Sequence, residues 1–235
     1  MANLLVCLTG NTELQHLSVN YCGLTIPSGA LIAELLTKST IVHLEVTGNA
    51  LQCDGTAQLV DVLCTQDIPL KSLLIADNGI DPHGKGNQRG PFMTAKVIRR
   101  WLTCTQYLEL CDLRDNDIGD LAARELMDGL TDRVTAGLKN IQLLVTCRID
   151  AAIYKTIQSL GKKSKGGSKK KKKRKSSSLS TKNVATRNIA SVRVNISLIH
   201  YYSSKFAGND TFISSHLALY FAKSFRSKSA IDSLA

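Results

Sequence analysis

The chain has 235 residues, with 30 Lys+Arg against 19 Asp+Glu for a net charge of +11, and 43% of its residues are hydrophobic. That balance excludes a chain disordered from end to end, a collagen and a small disulfide framework, and it fits a core-forming domain with an appendage. A single basic domain is excluded too: residues 1–160 carry 13 basic and 17 acidic side chains, residues 161–235 carry 17 and 2, so the positive excess lies in the C-terminal third.

The seven cysteines (Cys7, Cys22, Cys53, Cys64, Cys104, Cys111 and Cys147) are odd in number, dispersed and free of any C-x-x-C pair. Secreted frameworks use even, clustered cysteines, so the expectation is a reducing intracellular setting, cytoplasmic or nuclear. The apolar run Ala2–Val6 has no charged region before it and is broken by Thr9-Gly10-Asn11, which makes a poor signal peptide. No stretch approaches the roughly 18 apolar residues that span a bilayer, and no transmembrane segment is expected.

Residues 3–13, with Leu4, Leu5, Cys7 and Leu8, read as the end of a helix feeding a first strand. From there a template, L-x-x-L-x-L-x-x-N/C-x-L, recurs. It is met by Leu14, Leu17, Val19, Cys22 and Leu24, and then by Ile41, Leu44, Val46, Asn49 and Leu51. Leu70, Leu73, Ile75, Asn78 and Ile80 follow, then Leu108, Cys111, Leu113, Asn116 and Ile118. A fifth copy, Leu138 to Ile149, fits with one extra residue before Cys147. The starts are 27, 29, 38 and 30 residues apart. The fourth and sixth template positions share one face of a short strand, because strand side chains alternate. The Asn or Cys at the ninth can bond backbone groups where the strand turns, and its repetition predicts a ladder from coil to coil.

Between the templates lie five one-sided helical patterns, with apolar residues at three- and four-residue steps. They run through Ala30–Leu36, Ala57–Leu63, Ala95–Leu102, Leu121–Leu130 and Ile153–Leu160. A strand and a helix repeated at this period make a solenoid unit that buries its apolar face only by stacking on its neighbours. The predicted fold is therefore α/β, a solenoid with a parallel inner sheet and convex helices. No polar cap precedes the first strand, so the chain is expected to be the later part of a longer array, or else to seal itself with its short first helix.

Asn116-Asp117-Ile118-Gly119-Asp120, followed by Ala122-Ala123-Arg124-Glu125-Leu126, resembles the N-x-[LI]-G-D/E-x-G-A opening of the convex helix in leucine-rich-repeat proteins of the ribonuclease-inhibitor-like subclass. Leu17 to Thr25 resembles the Cys-bearing alternate repeat of that subclass. The resemblance covers residues 1–160 and departs from the pattern in an enlarged third repeat, an irregular fifth and the lack of strict Asn/Cys alternation. It implies a non-catalytic scaffold for a protein partner, with no cofactor and no small-molecule substrate.

On the inner sheet the third, fifth, seventh and eighth template positions should face solvent, and the resemblance puts partner contact there. The candidate residues are His16, Ser18, Tyr21, His43, Glu45, Thr47, Leu74, Asp77, Asp112, Arg114 and Asp115, a mixed and mildly acidic face. The bland alternative is an ordinary solvated sheet, since no aromatic cluster offers obvious hot spots. His16 and His43 fall in one column, but zinc needs three or four ligands and no further Cys or His neighbours them. No metal is expected. The third repeat carries a Gly/Pro-rich insertion around residues 82–91, which lacks the closing Lys-Ser/Thr of a phosphate cradle and is read as a rim loop or a protein-contact loop. No H-E-x-x-H or G-x-S-x-G occurs, and Cys22, Cys111 and Cys147 are expected to pack in the core, so no enzyme is predicted.

Periodicity stops at Gly161. Residues 162–175 hold ten basic side chains in fourteen, among them Lys169, Lys170, Lys171, Lys172, Lys173, Arg174 and Lys175. Such a run stays extended and hydrated by self-repulsion. Three readings stand side by side: an import signal for a nuclear import receptor, electrostatic attachment to an acidic polymer (nucleic acid, tubulin tails or anionic lipid), and a solubilising spacer. Residues 161–180 thus form a polybasic linker and 181–235 an irregular or disordered tail, in which Val192, Val194, Ile196 and Leu198 alternate like a strand. The functional expectation is a protein-interaction scaffold with a tethering tail. The competing expectation is an electrostatic adaptor whose tail binds and whose repeats only position it.

Overall fold

The computed structural model describes Leu5, residues 8–84 and 87–161, and the backbone of 193–195. Over the described residues 16–160, five three-residue strands alternate with five helices. They run β1 (His16–Ser18), α1 (Ile26–Thr37), β2 (His43–Glu45), α2 (Gln52–Thr65), β3 (Ser72–Leu74), α3 (Pro91–Cys104), β4 (Leu110–Asp112), α4 (Gly119–Thr135), β5 (Gln142–Leu144) and α5 (Ala151–Leu160). The strands lie side by side in chain order in one parallel sheet, and each helix packs on the next along the opposite wall. This is the α/β solenoid the period predicts. A further strand, β6 (Arg193–Asn195), pairs in parallel with the other edge of β1, Leu17 opposite Val194. Three residues of the alternating segment, 193–195, therefore supply a strand to the sheet. The polybasic run 162–175 and residues 196–235 lie outside the described residues.

The core sits between sheet and helices and is made by the template. Leu17, Leu44, Leu73, Cys111 and Leu143 meet in register across the five strands, every one of them buried. Side-chain alternation sends this row inward and its neighbours outward. The same register corrects the fifth repeat. Cys111 pairs with Leu143, and the Gln142 N–H bonds the Glu109 carbonyl at 2.9 Å, so the fifth template begins two residues later than the Leu138 fit, at Asn140. Leu138, Ile141 and Leu143 imitate the leucine spacing, and only the ladder decides between the two frames. Cys147 consequently misses the ninth position and is exposed, against the expectation that it packs in the core.

The predicted ladder is present. Asn49 accepts the Cys22 and Leu24 N–H groups on Oδ1, both at 3.0 Å, and its Nδ2 donates to the Val19 and Val46 carbonyls. Asn116 does the same one step on, accepting from Asn78 at 3.0 Å and Ile80 at 3.1 Å while donating to Ile75 and Leu113. Asn78 donates to Val46 and Ala76. A carboxamide suits the site because it donates and accepts at once, satisfying backbone groups that a short strand leaves unpaired.

Helix starts follow local chemistry. Pro27 and Pro91 stand in first turns, where their missing N–H costs nothing. Asp150 caps α5, accepting the Ala152 and Ile153 N–H groups at 2.9 and 3.0 Å. Leu121 departs from its predicted stripe and is exposed in the first turn of α4. The close approach of α1 to α2 depends on two glycines. A Cβ on Gly29 would lie 2.1 Å from the Gly55 carbonyl oxygen, so neither helix can carry a side chain at the crossing.

Candidate partner-binding face

Strand register sorts the outward residues into two columns. One runs His16, His43, Ser72, Leu110, Gln142, and the other Ser18, Glu45, Leu74, Asp112, Leu144. The sequence-predicted residues on strands therefore do come together on one face, while Tyr21, Thr47, Asp77, Arg114 and Asp115 follow at the strand exits. Tyr21, Asp77 and Asp115 take positive φ, of 53°, 50° and 58°, which marks a recurring left-handed turn residue at this rim.

Exposure divides the candidates. Tyr21 is 66% exposed and its ring lies against Gly48 of the next coil, where a Cβ would sit 2.1 Å from a ring carbon. Asp77, Arg114 and Asp115 are exposed, and His16, His43, Glu45, Thr47 and Leu74 are half-buried. Two candidates fail the expectation of facing solvent: Ser18 and Asp112 are 1% and 4% exposed. Both point outward, but a neighbour covers each. Asn20 Nδ2 donates to Ser18 Oγ at 3.1 Å, and the Arg114 guanidinium folds back on Asp112 at 2.6 Å. Of the three aspartates among the candidates, Asp77 and Asp115 stay exposed, while Asp112 is paired with Arg114.

Around Glu45 the face is tightly bonded. His16 Nε2 lies 2.7 Å from Glu45 Oε1, and Asn20 Nδ2 donates to Oε2 at 3.1 Å. Asn20 Oδ1 accepts the Thr47 N–H at 2.7 Å. Burial by itself would raise the Glu45 carboxyl. Hydrogen bonds from Ser18, His16 and Asn20 outweigh it and hold the group below its usual range. His43, whose ring centroid is 5.7 Å from that of His16, is pushed down by burial first and then by the charges of His16 and Lys71. With His16 engaged by Glu45, the histidine column has no third ligand beside it. Among the described residues no group of three or more His, Cys, Asp or Glu is set to hold a metal.

The cysteines of the core have the chemistry of packing. Burial raises the thiols of Cys22 and Cys53, and takes that of Cys111 to about 12. A cleft of about 970 Å³ opens at the strand-entry rim of the last two coils, and its lining includes Glu109 and Lys139 but no Cys, His, Ser or Thr. The insertion in the third repeat is fastened at the start of α2. Asp54, buried, accepts the Gln88 and Arg89 N–H groups, and its own N–H donates to Asn87 Oδ1 at 3.3 Å. The loop is thus a pinned rim element on a carboxylate that sequence reading passed over. No signal short of the fold pairs residue 54 with 88 and 89. Among the described residues, no helix is long and apolar enough to cross a membrane.

No protein-family model matches the chain. A curated relative, the protein phosphatase 1 regulatory subunit 37 homolog of Caenorhabditis elegans, is 30% identical over 140 residues, which are 57% of this chain. The match spans 13% of that relative's length. Among solved structures, the leiomodin-1 actin-binding site 2 superimposes with a TM-score of 0.53 at 14% identity, covering 68% of this chain and 84% of the other. At that identity the likeness is one of fold, and it fits the parallel-sheet solenoid described above.

Proposed function

We propose that the chain is a non-catalytic protein-interaction module of the leucine-rich-repeat kind, ribonuclease-inhibitor-like in its helix-bearing coils, which holds a partner against its inner sheet. The observation that carries this reading is the face itself. The ladder ties successive coils together, and Leu74 on its strand with Tyr21, Asp77, Arg114 and Asp115 at the strand exits are left accessible to a partner. The relative named as a regulatory subunit of protein phosphatase 1 supports a regulatory rather than a catalytic role, and it makes the catalytic subunit of that phosphatase the first partner to assay. In the same reading residues 1–160 form the module, 161–180 the linker and 181–235 the tail. Lys169–Lys175 act as an import signal or electrostatic tether in the cytoplasm or nucleus.

Binding of the full chain to immobilised protein phosphatase 1 catalytic subunit tests the proposal. The triple variant Tyr21→Ser, Leu74→Ser, Arg114→Ala should lose at least tenfold in affinity with an unchanged circular-dichroism melt, and wild-type binding by that variant would remove the concave face from the account. Deleting 162–175 should leave this affinity within about twofold and abolish only the salt-sensitive part. Loss of all binding on that deletion favours the electrostatic adaptor instead. If the wild-type chain does not bind the phosphatase, the partner drawn from the relative is wrong.

A further inference from the structure

The side opposite the inner sheet carries a pair of cysteines that the interaction reading does not use. Cys64 stands at the C-terminal turn of α2 and Cys104 at the end of α3, forty residues apart in the chain, with their Sγ atoms 3.3 Å apart. Cys104 is exposed, Cys64 is half-buried, and both are reduced. Beside them Arg100, one turn before Cys104, donates from Nε to Cys64 Sγ at 3.3 Å, while its Nη2 donates to Asp61 at 2.7 Å. Asp61 lies one turn before Cys64, so a single guanidinium braces the pair from both helices.

We propose that Cys64 and Cys104 form a reversible disulfide site on the convex surface, oxidised by hydrogen peroxide, with Cys64 as the attacking thiolate, Arg100 as its positioning cation and Cys104 as the resolving thiol. Three observations bear on it. The sulfurs need to close by only about 1.3 Å to reach the roughly 2.05 Å of a disulfide. The two thiols have unlike surroundings: Arg100 donates to Cys64 directly, whereas Arg133, the cation near Cys104, spends its donors on the Leu102 and Thr105 carbonyls. Burial first, and then the hydrogen bond to Cys64, raise the Cys104 thiol to about 11. Helix C-termini disfavour an anion through the dipole, and a cation at one of the two sulfurs selects which of them becomes the nucleophile.

The chemistry balances without further reactants. The Cys64 thiolate attacks one peroxide oxygen and the O–O bond breaks. Hydroxide departs and takes up a proton as water, leaving Cys64 as a sulfenic acid. The Cys104 sulfur then attacks the Cys64 sulfur and displaces hydroxide, which takes the Cys104 proton as the second water. The two sulfurs together give up two electrons, and the peroxide accepts them. The product ties the second convex helix to the third, on the boundary where the pinned insertion enters the array. Any dithiol reductant reverses it.

The test uses the reduced full chain, given near-stoichiometric peroxide, quenched with N-ethylmaleimide and mapped by non-reducing peptide mass spectrometry. The expected result is a Cys64–Cys104 linked peptide two hydrogens lighter than the reduced pair. It should form at least tenfold faster than modification of the exposed Cys147 and vanish with dithiothreitol. With Cys104→Ser, dimedone should trap a sulfenic acid on Cys64, whereas Cys64→Ser should leave Cys104 largely unreacted. Arg100→Gln should slow linkage threefold or more with an unchanged circular-dichroism spectrum. A linked peptide no faster than Cys147 chemistry overturns the site. A sulfenic acid that accumulates on Cys104 instead reverses the two roles, and an unaltered rate in Arg100→Gln removes the arginine. The first readout is on the wild-type chain and does not depend on how any variant folds.

Discussion

The two long walls of the solenoid hold coil to coil by different means. On the strand-exit side the links are neutral and dry: Asn78 and Asn116 are buried, and each bonds backbone groups of its own coil and the one before. On the helix side the links are mostly ionic and wet. Arg99 of α3 reaches Glu125 at 3.0 Å and Asp132 at 2.7 Å on α4, with its side chain one-third exposed, and Arg100 of α3 reaches Asp61 on α2. The difference follows from geometry. Three-residue strands leave backbone donors and acceptors beside them inside the protein, where an unmet group is costly. Helices meet their own backbone needs and can link through long side chains in water. Mutations on the two walls should therefore differ in size and in their response to salt.

The largest effect belongs to the ladder. Asn116→Ala strands two backbone N–H groups and two carbonyls in a dry interior, and should lower unfolding stability by about 3 kcal/mol or more. Urea melts read the midpoint, and an effect below about 1 kcal/mol would mean that water replaces the amide. Arg133 is next, and it blurs the contrast, because it is a cation of the helix wall that is itself buried. It donates to the Leu102 and Thr105 carbonyls, at 2.8 and 2.6 Å, at the C-terminal end of α3, and to the Lys139 carbonyl. Burial lowers its guanidinium below the ordinary value. Arg133→Met keeps much of the volume and loses these bonds, for an expected cost of about 2 kcal/mol that salt does not change. Arg99→Ala should cost under about 1 kcal/mol and lose much of even that in 1 M salt. If Arg99→Ala proves larger than Asn116→Ala, the two walls have been assigned the wrong way round.

The same contrast governs what could be read from the chain itself. Leu17, Leu44, Leu73 and Cys111 were legible because a short strand forces one residue class at a fixed offset, and Asn49 and Asn116 because each must donate and accept at one point, whereas Asn78 only donates, to Val46 and Ala76. The frame of the fifth repeat is ambiguous in the sequence because Leu138, Ile141 and Leu143 offer leucine spacing in two registers, and the choice is made by the Gln142–Glu109 bond across the sheet. Ser18 and Asp112 were correctly aimed outward. Their burial depends on Asn20 and Arg114 folding over them, which alternation does not describe. Least legible were contacts between faces of different coils: Gly29 against Gly55, Arg133 under α3, Asp54 holding Gln88 and Arg89, and Cys64 against Cys104. Each joins residues 26 to 40 positions apart whose separate signals are ordinary.

The smallest expected effect is a pH dependence that separates the inner face from the wall behind it. The ladder has nothing to titrate, whereas the face holds Glu45 below its usual range and His43 below its ordinary 6.5. A carboxyl lowered by folding stabilises the native state above its unfolded value, near 4.5, and that contribution fades as pH falls through the lower folded one. A histidine lowered by folding works in the same sense at higher pH. Below 6.5 the unfolded chain binds the proton first, so stability drops as pH falls from 6.5 toward the folded value. The groups facing His43 are His16, Lys71, Glu109 and Glu45. Thermal midpoints of the wild type minus those of His43→Gln should therefore decline by about 1–2 °C between pH 7.5 and 5.5, and those minus Glu45→Gln should decline below pH 4.5. Taking differences removes the acid response of the other carboxylates. Flat differences across the whole range would mean that the bonds around Glu45 open in solution, and that the inner face is as loosely held as the ion pairs on the helix side.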